Sequence, residues 1–161
     1  MEELAGKVQT VRGLIEPLQL GRTLMHEHVV CDLTPTARRP EEPAEITLEN
    51  VWELNYHWVD APGNRVLLDR DVAVREMQRM VKDGGRSVVD VSTHPMVLDP
   101  VGLREVSERT GVHIVRGCGR YLDEFMGPDD RQRGVDELVA DIVTDIRHGA
   151  VDENGRETGI C

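Results

Sequence analysis

Two histidines one residue apart, His26 and His28, stand in the run RTLMHEHVVCD from Arg22 to Asp32. Among Leu24, Met25, Val29 and Val30, two imidazoles are costly to bury unless each ring has a partner. On a strand, residues i and i+2 project from the same face. His26 and His28 therefore stand side by side, and Glu27 turns the other way. Two imidazole nitrogens so placed can share one divalent metal at about 2.0–2.1 Å each. A pair of strand histidines hydrogen-bonded to neighbours is the other reading, and the spacing leaves both open.

Other residues capable of chemistry are scattered. Cys31, Cys118 and Cys161 are odd in number and have no CxxC spacing, so a disulfide framework or paired-thiol site is not expected. Cys31 and Cys118 read as small buried residues near strand ends. Asp90, inside VVDVS, is buried by pattern and is placed to orient a neighbour. His57 and Trp58 fall in a loop, His113 opens a strand, and His148 closes a helix, where an imidazolium suits the dipole.

The elements that must position these groups follow from periodicity and punctuation. Val8 to Pro17 reads as a hairpin leading into a strand over Thr23 to His28. TPTARRPEEPAE is a long surface loop. Thr47 is placed to cap a short helix from Leu48 to about Asn55, with Val51 and Trp52 on its buried side. Asp69 or Asp71 starts the next helix, whose face is Ala73, Met77, Met80, Val81 and Gly84, and Gly84-Gly85 ends it. RSVVDVST is apolar on both faces, as a buried parallel strand should be. Asp99-Pro100 is a cap with proline at the first helical position, and Gly111 is the stop. VHIVRGCG is a strand. Val135, Leu138, Val139, Ile142 and Ile146 make the clearest amphipathic helix, and TGIC begins another apolar segment.

Strands alternating with helices imply parallel strands with crossover connections. An open doubly wound sheet and a (β/α)8 barrel both satisfy this order. No G-x-G-x-x-G follows the first strand, which weakens the dinucleotide-binding alternative. In a barrel, the histidine pair sits at the C-terminal strand end, where active sites are built. His94 ends the second barrel strand. It reads first as a solvated loop histidine and second as a polar contact at the mouth.

Composition excludes several classes. The net charge of −11 and the scattered arginines speak against a nucleic-acid partner. No apolar run approaches the roughly 18 residues that span a bilayer. MEELAGK lacks a signal-peptide pattern, so a cytoplasmic protein without a membrane partner is expected.

GKVQTVRGLIEPLQLGRTLMHEH resembles the N-terminal signature of the phosphotriesterase family within the amidohydrolase superfamily. ITLENVWEL, LLDRDVAVREM, GGRSVVDVST, LREVSERTGVHIVRGCGRY and VDELVADIVTDIRHG continue the likeness in family order from Gly6 to Cys161. The resemblance implies an α/β fold, a (β/α)8 barrel of the amidohydrolase type. It further implies two divalent metals at the mouth, with zinc the expected ion, and hydrolysis of esters: lactones or organophosphate triesters. His26 and His28 then match the family's ligands to the more buried metal. A bridging lysine or glutamate, two further histidines and a proton-transferring aspartate have no matching positions here. Tyr121 matches a place where relatives put an aromatic in the substrate pocket, although packing is the commoner use of such a residue. His94 to Asp99, HPMVLD, replaces the family's Gly-x-Gly-Arg-Asp pattern, which puts substrate contact there in doubt. A full barrel needs ~250 residues. Residues 1–161 therefore read as its N-terminal half, with a hairpin over about 6–21 and β/α units over about 22–161. The alternative is a truncated, non-catalytic fragment that keeps only half of the metal site, its open sheet edge covered by a partner or a second copy.

Overall fold

The computed structural model describes residues 4–35, 46–52, 56, 62–96 and 99–150. The chain opens with a hairpin, β1 (Val8–Thr10) and β2 (Gly13–Ile15), antiparallel with Val8 opposite Ile15. Gly13 takes a φ of 115° in the tight connection, a conformation open to glycine. A 3₁₀ turn over Pro17–Leu20 leads into β3 (Thr23–Glu27). Next come β4 (Cys31–Asp32), β5 (Val66–Leu67), α1 (Arg70–Lys82) and β6 (Ser87–Asp90). After these come α2 (Pro100–Thr110), β7 (His113–Arg116), α3 (Pro128–Gln132) and α4 (Val135–His148).

The main sheet has the order β3-β6-β7. Thr23 pairs with Ser87 and Glu27 with Asp90, with a register shift between Leu24 and Glu27. Ser87 to Asp90 pair in sequence with His113 to Arg116. Both pairings are parallel, and neighbours in the sheet are successive strands of the β/α repeat. The central strand is β6, as its two-faced apolar pattern predicts. Helices α1 and α2 cover the sheet with Ala73, Val74, Leu103 and Val106, which meet Val88 and Ile114 in the core. The hairpin is fastened to this body where the Val11 amide donates to the Ile114 carbonyl at 2.9 Å.

Local signals account for the helix ends. Asp69 Oδ1 accepts from the amides of Asp71 and Val72, at 2.9 and 3.0 Å. Asp99 accepts from the Gly102 amide at 2.8 Å, and Gly111 closes α2 in the left-handed conformation. Ile114 is fully buried. Shortening it to valine is expected to cost about 0.5–1.5 kcal/mol, read as a lower urea midpoint at unchanged denaturant slope.

Several expectations are corrected. Val51 and Trp52 are exposed, at 40% and 54%, and Leu48 to Val51 form turns that pack no side chain of the pair into the core among the described residues. The rest of that expected helix, save Tyr56, lies outside the described residues, as do His57, Trp58, most of the proline-rich loop and the terminal TGIC. On α1, Ala73, Met77 and Met80 face the core as expected and Val74 joins them, whereas Val81, in the last turn of the helix, is 40% exposed. Helix α4 forms where its spacing places it, yet no residue of it is buried. Polar ties hold it instead: Asp145 to Arg116 at 3.0 Å and Asp141 to Arg120 at 2.7 Å. The small antiparallel pair β4–β5 has no signal in the sequence beyond four residues, Cys31, Asp32, Val66 and Leu67.

Candidate metal-binding site

His26 lies within β3 and His28 just beyond its C-terminal end. Their rings meet edge to face, with centroids 5.8 Å apart and planes at 74°. This is the side-by-side placement that an i, i+2 pair requires. The surroundings are only half apolar. Val29 and Val30 are buried, but Leu24 and Met25 are 45% and 69% exposed, because β3 is an edge of the sheet among the described residues. His26 is exposed, so its desolvation cost is small; His28 is half-buried.

The partner that burial demands is present for His28. Its Nδ1 lies 3.0 Å from Ser92 Oγ. Burial pulls the His28 imidazole below its ordinary pKa, and the neighbouring His26 pulls it further; the Asp90 and Glu27 carboxylates act in the opposite direction. A neutral ring is the form that ligates a metal. Asp90, fully buried, accepts from the Val29 amide through Oδ2 at 2.9 Å and from the Ser92 amide through Oδ1 at 2.8 Å. Its carboxyl thus ties the segment after β3 to the segment after β6. The sequence marked Asp90 as an orienting residue without a partner; Ser92 escaped notice, since an isolated serine after a strand carries no pattern.

Cys31 is buried beside this cluster and hydrogen-bonded to Ser92. Burial pushes its thiol up to about 11. Cys31 is therefore expected to resist alkylation at pH 8 until the chain unfolds, a difference that mass-spectrometric mapping reads directly. A cavity of about 320 Å³ opens beside His28, lined by Glu27, Leu67, Leu68, Val72 and Met77 among others.

His94 and Tyr121 are brought together, though not to the histidine pair by any hydrogen bond or ring contact among the described residues. A backbone bridge links His94 with Arg120, and the Tyr121 amide donates to the His94 carbonyl at 2.8 Å. His94 is not a loop histidine with water alone for company: its Nε2 lies 2.9 Å from Asp130 Oδ1, because α3 folds back beside it. Tyr121 packs edge to face on Phe125 at 4.8 Å and stays 38% exposed. Next to them lies a second cavity of about 320 Å³, lined by His94, Arg116, Arg120, Arg133, Asp141 and Asp145 among others. Its guanidiniums, which sequence reading passed over, are occupied by Asp141 and Asp145.

The donor chemistry fits a divalent ion of the zinc class: two imidazoles on one side of a strand end, one with its Nδ1 already engaged. Two donors do not close a site. Among the described residues no group of three or more His, Cys, Asp or Glu is placed to hold a metal.

Comparison with known proteins agrees with this architecture. The phosphotriesterase family model matches residues 6–161. An N-acetyltaurine hydrolase from Tetraodon nigroviridis is 36% identical over 157 residues, which cover 93% of this chain and 45% of that protein. A phosphotriesterase-related protein from Nematostella vectensis is 31% identical over 160 residues, covering 93% and 46%. Among solved structures, a resiniferatoxin-binding protein from Rhodobacter sphaeroides aligns with a TM-score of 0.81 at 33% identity, over 95% of this chain and 44% of that one. A lactonase from Listeria monocytogenes aligns with a TM-score of 0.65 at 20% identity, over 89% and 43%, a likeness of fold alone. The chain spans just under half the length of these relatives. Its three parallel strands and their helices have the amidohydrolase-type (β/α)8 barrel architecture, which sets aside the doubly wound sheet. With the family model matching nearly its whole length, the chain belongs to the phosphotriesterase family.

Proposed function

We propose that the chain supplies the paired-histidine part of a divalent-metal centre that hydrolyses small-molecule esters, lactones or organophosphate triesters. The observation that carries this is the placement of His26 and His28 side by side at the C-terminal end of β3, with the His28 Nδ1 on Ser92. A metal held there, zinc being the first expectation, supplies an acidified water and polarises the substrate oxygen. The chain's own residues bind and orient. His26 and His28 offer lone pairs, Ser92 fixes one ring, and Asp90 locks the two strand ends together. The remaining ligands come from outside the described residues.

A second substrate class has a specific observation behind it. Relatives at 32–36% identity are N-acetyltaurine hydrolases, which favours an N-acyl amide as the bond cleaved. Attack by water on a carbonyl is common to a lactone and an amide. The net charge of −11 speaks against a nucleic-acid partner, and the proposal is completed by a cytoplasmic protein acting on a small molecule, with a second copy covering an open sheet edge.

Zinc titrated into the 161-residue chain is expected to move the His26 and His28 ring resonances together and to leave His113 and His148 in place. Hydrolysis of a lactone, a phosphotriester or an N-acyl amide is expected only where the missing ligands are present. A titration that moves neither ring of the pair, in this chain and in a protein carrying the remaining ligands alike, sinks the metal reading. The competing reading is a non-catalytic chain with half a site, and turnover by monomeric, metal-loaded 161-residue protein would sink that one.

A further inference from the structure

Ser92 sits at the meeting point of three groups. Its amide donates to Asp90 Oδ1 at 2.8 Å, its Oγ lies 3.0 Å from His28 Nδ1, and it shares a hydrogen bond with the Cys31 thiol. Ser92 is 1% exposed and Asp90 fully buried, so water does not compete for these contacts. The position of Ser92 is over-determined. Asp90 ties its amide to that of Val29, the residue after His28, and the Val91 amide donates to the Glu27 carbonyl at 2.9 Å. The Gly117 amide binds the Asp90 carbonyl at 2.7 Å, and a Cβ at Gly117 would come within 3.0 Å of that oxygen. All three parallel strands therefore end on one clamp.

A hydroxyl has one proton and two lone pairs. Two proton arrangements satisfy the His28–Ser92 contact. In one, Ser92 donates to a bare Nδ1, and the His28 proton sits on Nε2, which then cannot ligate. In the other, His28 donates Nδ1–H to Ser92 Oγ, Ser92 turns its own proton to the Cys31 sulfur, and Nε2 is left with its lone pair. A buried thiol beside Ser92 gives that proton somewhere to go. We propose that Ser92, held by Asp90, is a positioning residue that keeps His28 in the Nδ1–H tautomer, so that Nε2 is ready to ligate before a metal arrives. This rests on the metal reading above. It adds that the readiness is built into the metal-free chain by a serine, where metal-ligating histidines commonly use a carboxylate or a backbone carbonyl.

The test reads the metal-free chain. Ring ¹⁵N correlations at pH 8 are expected to show His28 with a pyrrole-like Nδ1 and a pyridine-like Nε2. Ser92→Ala is expected to shift His28 toward the other tautomer or a mixture and to weaken zinc binding about 10- to 100-fold, the range for outer-shell partners. Cys31→Ala, which removes only the sulfur, is expected to give a smaller shift in the same direction. His28 found with Nε2–H in the folded wild-type chain overturns the proposal, and so does a Ser92→Ala chain with unchanged tautomer and zinc affinity. The wild-type measurement stands even where a variant fails to fold. The two failures are distinguishable: zinc uptake by a chain whose metal-free His28 holds the wrong tautomer overturns the serine's role alone, whereas the right tautomer with no zinc bound, even with the remaining ligands present, overturns the metal reading.

Discussion

Replacing either histidine of the pair by alanine is expected to abolish zinc binding to the 161-residue chain, a loss exceeding the roughly 100-fold seen for outer-shell partners. A site with two protein donors cannot lose one and keep a chelate. In a protein carrying the remaining ligands, turnover is expected to fall to background, because the ion that acidifies water is no longer held. The two variants differ in their cost to folding. His26 is exposed, so His26→Ala should leave stability within about 0.5 kcal/mol of the wild type. His28 is half-buried and anchored to Ser92, so His28→Ala removes packing and one hydrogen bond as well. His26→Ala is thus the cleaner probe: its urea midpoint should be unchanged while calorimetry shows no zinc uptake. A His26→Ala chain that binds zinc as the wild type does would remove His26 from the site.

Much of this arrangement was legible in the residues before any coordinate. The i, i+2 spacing put both imidazoles on one side of β3, and local chemistry placed the caps at Asp69, Asp99 and Gly111, since each depends only on neighbours within four residues. The parallel order followed from strands alternating with helices. What was not legible depends on groups far apart in sequence. Ser92 finds His28 across 64 positions, and Arg116 finds Asp145 across 29. Helix α4 shows the limit from the other side. The apolar spacing of Val135, Val139 and Ile146 correctly gave a helix, but all three are at least 43% exposed, and ion pairs hold it to the sheet. Periodicity names a face; it does not name what lies against that face.

At Asp90, a polar residue, the expected loss of stability matches that of emptying a core position. Asp90→Ala leaves the buried amides of Val29 and Ser92 without acceptors. Each orphaned donor costs about 1–3 kcal/mol, so the pair costs about 2–6 kcal/mol. That is a large part of the 5–15 kcal/mol by which domains are usually stable. Asp90→Asn keeps one carbonyl oxygen but turns an NH₂ toward the other donor, so it should fall between alanine and the wild type. Because the two amides lie after different strands, the damage should be local before it is global. Hydrogen exchange at Val29 and Ser92 should accelerate in Asp90→Asn while the core amides of Ile114 and Val106 keep their protection. Urea unfolding gives the total and exchange gives its location. An Asp90→Ala chain within 0.5 kcal/mol of the wild type would mean that other acceptors reach both amides, and the clamp beneath His28 would then not be the carboxyl of Asp90.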